Sequence, residues 1–134
     1  MVKIEIVDFE TVIEVSNFEK SIKYYTEVLD FNLDWTWPAE GEKVHGSLSI
    51  GGDSKDHSKK HLHVQISQAE HDFSPSGWIY IRIGPEIDQL YEHYKARNVK
   101  FTQHLDNYPW QMREFTIEDI DGNNFRFAYN YLEH

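Results

Sequence analysis

The sequence predicts an α+β domain made of two successive βαβββ modules, and three observations predict it. Each half combines an amphipathic helix with stretches in which apolar and polar residues alternate. The dipeptide Asp121-Gly122 lies between two such stretches and predicts a tight hairpin turn, because Gly tolerates a positive φ. The third observation is an internal repeat. Four apolar positions recur 68 residues later in the chain: Val15, Ile22, Phe31 and Leu33 match Ile83, Leu90, Val99 and Phe101.

The two helices are predicted from apolar residues at helical spacing. The first begins within Ser16-Asn17-Phe18-Glu19, which has the Ser-x-x-Glu form of a capping box, and ends at Asp30. The second begins at Pro85-Glu86 and ends at Asn98. The apolar faces are Ile22, Tyr25, Val28 and Leu29 in the first helix, and Ile87, Leu90, Tyr91 and Tyr94 in the second.

The strands are clearest where hydrophobicity alternates, over residues 44–50, 62–66, 115–117 and 124–129. The polar, Gly-containing stretch 51–60 predicts an exposed loop. We therefore expect a single domain over residues 1–131, with modules at about 8–67 and 77–131. Leu132-Glu133-His134 is interpreted as a remnant of a purification tag.

Composition excludes several classes of protein. The hydrophobic content of 40% disfavours a disordered chain, and the net charge of −10 disfavours nucleic acid or an anionic membrane as a partner. Without Cys, the chain has no disulfide and no thiolate metal ligand. We find no apolar run of membrane-spanning length and no signal-peptide pattern, so we expect a cytoplasmic protein. The acidic charge indicates either a solvated surface or a cationic ligand.

The chain contains Pro109-Trp110, Arg113-Glu114-Phe115, Asp119-Ile120-Asp121-Gly122-Asn123 and a first helix that leads through Asp30 to Phe31. These motifs resemble those of the vicinal oxygen chelate superfamily, which includes glyoxalases and ring-opening dioxygenases. Within it they most resemble the bleomycin resistance proteins, with Asp30 in place of the usual Gly. The resemblance implies a cupped, incompletely closed mixed sheet around a ligand cavity. It also implies that two chains pair as a homodimer, and it suggests a role in antibiotic resistance.

The resemblance also indicates where a metal-dependent relative would place its ligands. The matching positions here are Glu10, Gln65, Trp78 and Arg126. Only Glu10 is a competent ligand, because Trp cannot coordinate, Gln is weak and a guanidinium repels the ion. We therefore predict no metal cofactor. The alternative is a lyase, isomerase or dioxygenase that binds Zn, Ni or Fe at a relocated site formed by Glu10, His61 and His63.

A binding role is predicted from aromatic residues that share strand faces. Trp35 and Trp37 alternate on one strand, Trp78 and Tyr80 alternate with Arg82 on another, and Trp110 precedes the final hairpin. With His63 on a neighbouring strand, these side chains would line a cleft for an aromatic ligand, cationic ligands included.

The remaining polar residues suggest no catalytic arrangement. Five of the six other histidines are interpreted as surface residues: His45, His57, His71, His93 and His104. Arg113 and Glu114 are interpreted as a hydrogen-bonded structural pair. The serines near histidines in sequence do not define a nucleophile with its base, so we assign no catalytic residue.

Overall fold

The computed structural model describes residues 3–5, 10–51, 62–75 and 77–132. In this part of the chain, each half contributes one helix and four strands. The first half consists of β1 (Thr11–Val15), α1 (Phe18–Lys23), a π-helical turn (Tyr24–Val28), β2 (Asn32–Trp37), β3 (His45–Ile50) and β4 (Leu62–Gln68). The second half consists of β5 (Trp78–Arg82), α2 (Ile87–Ala96), β6 (Lys100–Tyr108), β7 (Met112–Glu118) and β8 (Asn124–Asn130).

The two halves have the same strand topology. The first sheet has the order β1-β4-β3-β2 and the second has the order β5-β8-β7-β6. In each sheet the first strand runs parallel to the last, and the other neighbours are antiparallel. The sheets are therefore mixed and do not close into a barrel, which confirms the predicted α+β fold of two βαβββ modules.

One hydrophobic core serves both modules. It contains the helix-facing side chains of both sheets, such as Val64 and Phe127, together with Tyr25 from the first helical segment and Tyr94 from α2. The ring of Tyr25 meets Phe125 of the second sheet edge-on, with 5.9 Å between centroids. Each sheet thus packs one face against the shared core. Its other face, which we call the open face, lies outside that core.

Polar contacts also join the modules inside this core. The Tyr25 hydroxyl donates a 2.6 Å hydrogen bond to Asp119 Oδ2, and the Tyr94 hydroxyl donates to the backbone oxygen of Leu29. Burial, then the carboxylate of Asp119, raises the pKa of the Tyr25 phenol well above its ordinary value. Both tyrosines are fully buried. The modules are therefore joined by bonds that water cannot easily replace.

The helix ends differ in part from those predicted. Asn17, and not Ser16, caps α1, because its side-chain oxygen accepts a hydrogen bond from Lys20 N. The α2 helix begins at Ile87, two residues after Pro85. Asp30 and Asn98 follow the two helical segments with φ of 60° and 58°. Such left-handed residues are frequent after helices, so Asp30 takes the conformation for which Gly is usual.

Candidate ligand-binding site

All four tryptophans of the chain are exposed. Trp35, Trp37, Trp78 and Trp110 retain 46–60% of their accessible surface, and none of them joins the hydrophobic core. Tyr80 is also exposed. Because exposed aromatic area is unfavourable in water, a set of such residues marks a binding or association surface.

The open face of the first sheet carries Trp35 and Trp37. In the strand register Trp35 lies opposite Ser47, and Trp37 lies opposite His45. Both rings therefore project from the same face of β2, as predicted. The ring of His45 packs against that of Trp35 at a centroid distance of 5.7 Å.

A polar chain runs across this face beside the tryptophans. Gln65 Nε2 donates to Glu10 Oε2 at 2.7 Å, and Gln65 Oε1 lies 2.8 Å from His45 Nε2. Because the Gln65 oxygen can only accept, His45 Nε2 must carry a proton. His45, which was interpreted as a surface residue, thus takes part in this hydrogen-bonded chain. It is half-buried on the candidate site, and its role depends on a cross-strand register that the sequence pattern does not give.

His63 lies on the same face, as predicted, and contacts an acidic residue. Its Nδ1 atom lies 3.4 Å from Asp34 Oδ2, and Ser49 Oγ donates to Asp34 Oδ1 at 3.0 Å. Ser49 is buried. The serine bonds the carboxylate and not the imidazole, so these three side chains do not form a nucleophile–base pair.

The open face of the second sheet carries Trp78, Tyr80 and Arg82, which share one side of β5 as predicted. A fully buried carboxylate, Glu114, lies beneath these side chains. Glu114 accepts a 3.0 Å hydrogen bond from Gln103 Nε2 and a 3.4 Å bond from the Tyr80 hydroxyl. Desolvation, and then the charge of Glu114, raises the pKa of the Tyr80 phenol above its ordinary value.

Arg126 links the polar and aromatic parts of the second open face. Its Nε donates to Thr116 Oγ1 at 2.8 Å, and its Nη1 lies 4.0 Å from Glu114 Oε1. Its guanidinium carbon lies 4.5 Å from the centroid of the Trp78 ring. This is the geometry of a cation–π contact, so Trp78 and Arg126 hold each other in place.

Trp110 lies in the turn between β6 and β7 and is already stacked. Its ring is nearly parallel to that of Tyr108, with 5.0 Å between centroids and 15° between planes. Gln111 follows with φ 70°, which allows the turn to reverse the chain there. Trp110 thus has one ring face supported by Tyr108.

The predicted pairing of Arg113 with Glu114 was wrong. Arg113 donates two hydrogen bonds to Asp88 on α2, whereas Glu114 points to the open face. Consecutive residues of a strand project to opposite faces, so the two side chains cannot meet. The same alternation could have revealed Glu114 as a site residue from the sequence.

The four positions at which a metal-dependent relative would place its ligands are occupied by two side-chain pairs. Glu10 bonds Gln65, and Arg126 lies over Trp78. These side chains do not fit a metal ion, because only one of them is an anionic ligand. Within the described ranges no three His, Cys, Asp or Glu side chains gather as a metal site. His61 and His57 lie outside those ranges, so the alternative site at Glu10, His61 and His63 stays a hypothesis.

A cavity of about 310 Å³ connects residues of both open faces. It lies between β1 and β5 and is lined by Glu14, Trp78 and Asn124, among others. A larger cavity of about 750 Å³ lies at the start of α1, where Lys43 donates to the backbone oxygens of Pro38 and Ala39. The larger cavity contains none of the predicted site residues, so we place the candidate site on the open faces.

None of the helices in the described segments is long and apolar enough to cross a membrane.

Comparisons with known proteins agree with this fold. Residues 9–127 match the model of the Glyoxalase/Bleomycin resistance protein/Dioxygenase superfamily. A comparison with curated proteins finds no significant match.

Solved structures with a similar fold share little sequence with this chain. TioX from Micromonospora sp. ML1 is 18% identical with a TM-score of 0.65, covering 92% of this chain and 99% of its own. A glyoxalase/bleomycin resistance protein/dioxygenase from Nocardioides is 17% identical with a TM-score of 0.70, and the match covers 100% of this chain and 89% of that protein. The fosfomycin resistance protein FosX from Listeria monocytogenes is 16% identical with a TM-score of 0.66, and the match covers 99% of this chain and 98% of FosX. At these identities the likeness shows the fold alone.

Proposed function

Because the chain belongs to the glyoxalase/bleomycin resistance protein/dioxygenase superfamily, we propose that it uses this fold to bind and sequester an aromatic small molecule without metal catalysis. The observation that carries the proposal is the exposure of all four tryptophans. A stacked aromatic ligand would remove that area from water and gain about 0.5–1.5 kcal/mol per ring pair beyond area burial.

The polar groups beneath the aromatic rings support binding in a defined orientation. Gln65 is held between Glu10 and His45, and Glu114 is held by Gln103 and Tyr80. Such groups are fixed before a ligand arrives, so little side-chain entropy is lost on binding. The exposed carboxylates Glu10 and Glu14 on the first open face would take a cationic part of the ligand.

Pairing of two chains is part of the proposal. The exposed aromatic rings of the two open faces are an association surface as well as a ligand surface. A second chain would turn each open face into the wall of a cleft. Light scattering on a sizing column should then give twice the 16.0 kDa of one chain. A mass of one chain at micromolar concentration would contradict this part of the proposal.

The binding test uses metal-free bleomycin as an aromatic, cationic probe and intrinsic Trp fluorescence as the signal. We expect a saturable change at micromolar ligand. Trp110→Leu should weaken binding about two- to tenfold, the loss expected from one stacking contact. Ile120→Ala is a matched control, because Ile120 is equally exposed but lies in the turn between β7 and β8. An unchanged signal with bleomycin would refute drug binding of this type, and equal effects of the two substitutions would refute a role for Trp110.

A further inference from the structure

The second open face presents a guanidinium whose terminal nitrogens are available to a ligand. Arg126 uses Nε for Thr116, and its ring contact with Trp78 fixes the plane of the group. In the residues that the structure describes, its two terminal NH2 groups donate no hydrogen bond, because Glu114 is 4.0 Å away. The Arg126 side chain retains 24% of its accessible surface, so it is partly open to solvent.

We propose that Arg126 binds an anionic oxygen group, such as a carboxylate, on the aromatic ligand of this site. A guanidinium offers two parallel donors that match the two oxygens of a carboxylate. Trp78 beside it offers a ring face to the aromatic part of the same molecule. The ligand class is therefore an aromatic acid, and this inference rests on the proposed function.

The charges around Arg126 do not remove this preference. Glu114 offsets part of its charge, and Asp106 lies opposite Glu114 on the neighbouring strand. Arg82 supplies a second guanidinium on the same face, 5.9 Å from the Tyr80 ring. Glu114 is fully buried, so an incoming anion meets the guanidiniums before the carboxylate. The net charge of −10 acts weakly here, because salt screens charges beyond about 8 Å.

The two open faces would then orient one ligand. The first face presents the exposed carboxylates Glu10 and Glu14, and the second presents Arg82 and Arg126. A molecule with an acidic group at one end and a basic group at the other matches both faces, whereas the reversed molecule would meet like charges. The acidic group of the ligand therefore belongs at Arg126.

The test compares three probes with one ring system by isothermal titration calorimetry: 2-naphthoate, its neutral amide and 2-naphthylmethylammonium. We expect the wild-type protein to bind the acid about tenfold more tightly than the amide. Arg126→Gln should abolish that preference, so that the acid and the amide bind with equal affinity. Arg113→Gln is the matched control, because Arg113 lies on the same sheet but bonds Asp88 on the opposite face. It should keep the preference.

Two further variants guard against a folding defect, since Arg126→Gln leaves Glu114 buried beside a neutral partner. The double variant E114Q/R126Q removes both charges and should also lose the preference. Glu114→Gln alone should raise the preference for the acid over the amide a few-fold, because Arg126 keeps its charge and loses the carboxylate that offsets it. Equal binding of acid and amide, or tighter binding of the ammonium probe, would overturn the inference and leave the proposed function standing. Absence of binding by all three probes would overturn both.

Discussion

The bond between Tyr25 and Asp119 should hold the two modules together, and its loss can be predicted in detail. The two residues are 94 positions apart in sequence, and both side chains are buried. In Tyr25→Phe the ring stays and only the hydroxyl is lost. Asp119 keeps three other hydrogen bonds, from Asp121 N, Asn123 N and Asn123 Nδ2. The carboxylate therefore loses one of four donors.

A hydrogen bond to a charged group contributes about 1.5–3 kcal/mol. We therefore expect the free energy of unfolding to fall by about that amount. The entropy of unfolding per residue implies about 3–4 °C per kcal/mol for a chain of 134 residues, so Tm should fall by about 5–11 °C. Urea denaturation followed by circular dichroism measures the free energy, and calorimetry measures Tm.

Tyr24→Phe is a matched control for this experiment. Tyr24 precedes Tyr25 and is half-buried, and among the described residues its hydroxyl makes no hydrogen bond. Its substitution removes the same atom and should change the free energy of unfolding by less than about 0.5 kcal/mol. If Tyr25→Phe destabilises the protein no more than Tyr24→Phe does, the buried bond does not join the modules as we argue.

Three other predictions concern pH, packing and metal. Because burial raises the pKa values of Tyr25 and Tyr94, the unfolded state loses protons first above about pH 10, so stability should fall by up to about 1.4 kcal/mol per pH unit for each tyrosine. In Tyr94→Phe, the urea midpoint of unfolding should decrease less between pH 9 and 11 than it does in the wild-type protein. The same decrease with pH in both proteins would contradict this. Gly46→Ala should cost about 1–3 kcal/mol, because a Cβ there would lie 2.9 Å from the backbone oxygen of Trp35; an unchanged Tm would refute the packing argument. Protein without residues 132–134 should bind no stoichiometric Zn or Ni by calorimetry, and a bound ion lost in Glu10→Ala would establish the alternative metal site.

The sequence predicted those features that depend on local periodicity. The shared faces of Trp35 with Trp37 and of Trp78 with Tyr80 follow from the two-residue period of a strand, and the structure places them so. The turn at Gly122, with φ 95°, follows from the conformational freedom of Gly. The sequence also identified Asn98 as the point at which α2 stops.

Features that depend on contacts distant in sequence could not be predicted. His45 reaches Gln65 only because β3 pairs with β4, in a register that a pattern of polar residues does not fix. Arg126 meets Trp78 through the parallel pairing of β5 with β8. The Arg113-Glu114 error was of another kind, because strand alternation already excluded that pair. The cap at Asn17 was missed because Ser16 and Asn17 are both good capping residues.

The shared core also bears on how such a duplicated chain can unfold. Since Tyr25 of the first half contacts Phe125 and Asp119 of the second, neither half can open without exposing apolar surface of the other. Amide hydrogens of β4 and β8 should therefore exchange with deuterium through one global event, at a common free energy. The two repeats would unfold as a single cooperative unit and not as two independent domains. A gene fragment encoding one half would therefore yield a chain without a folded state of its own.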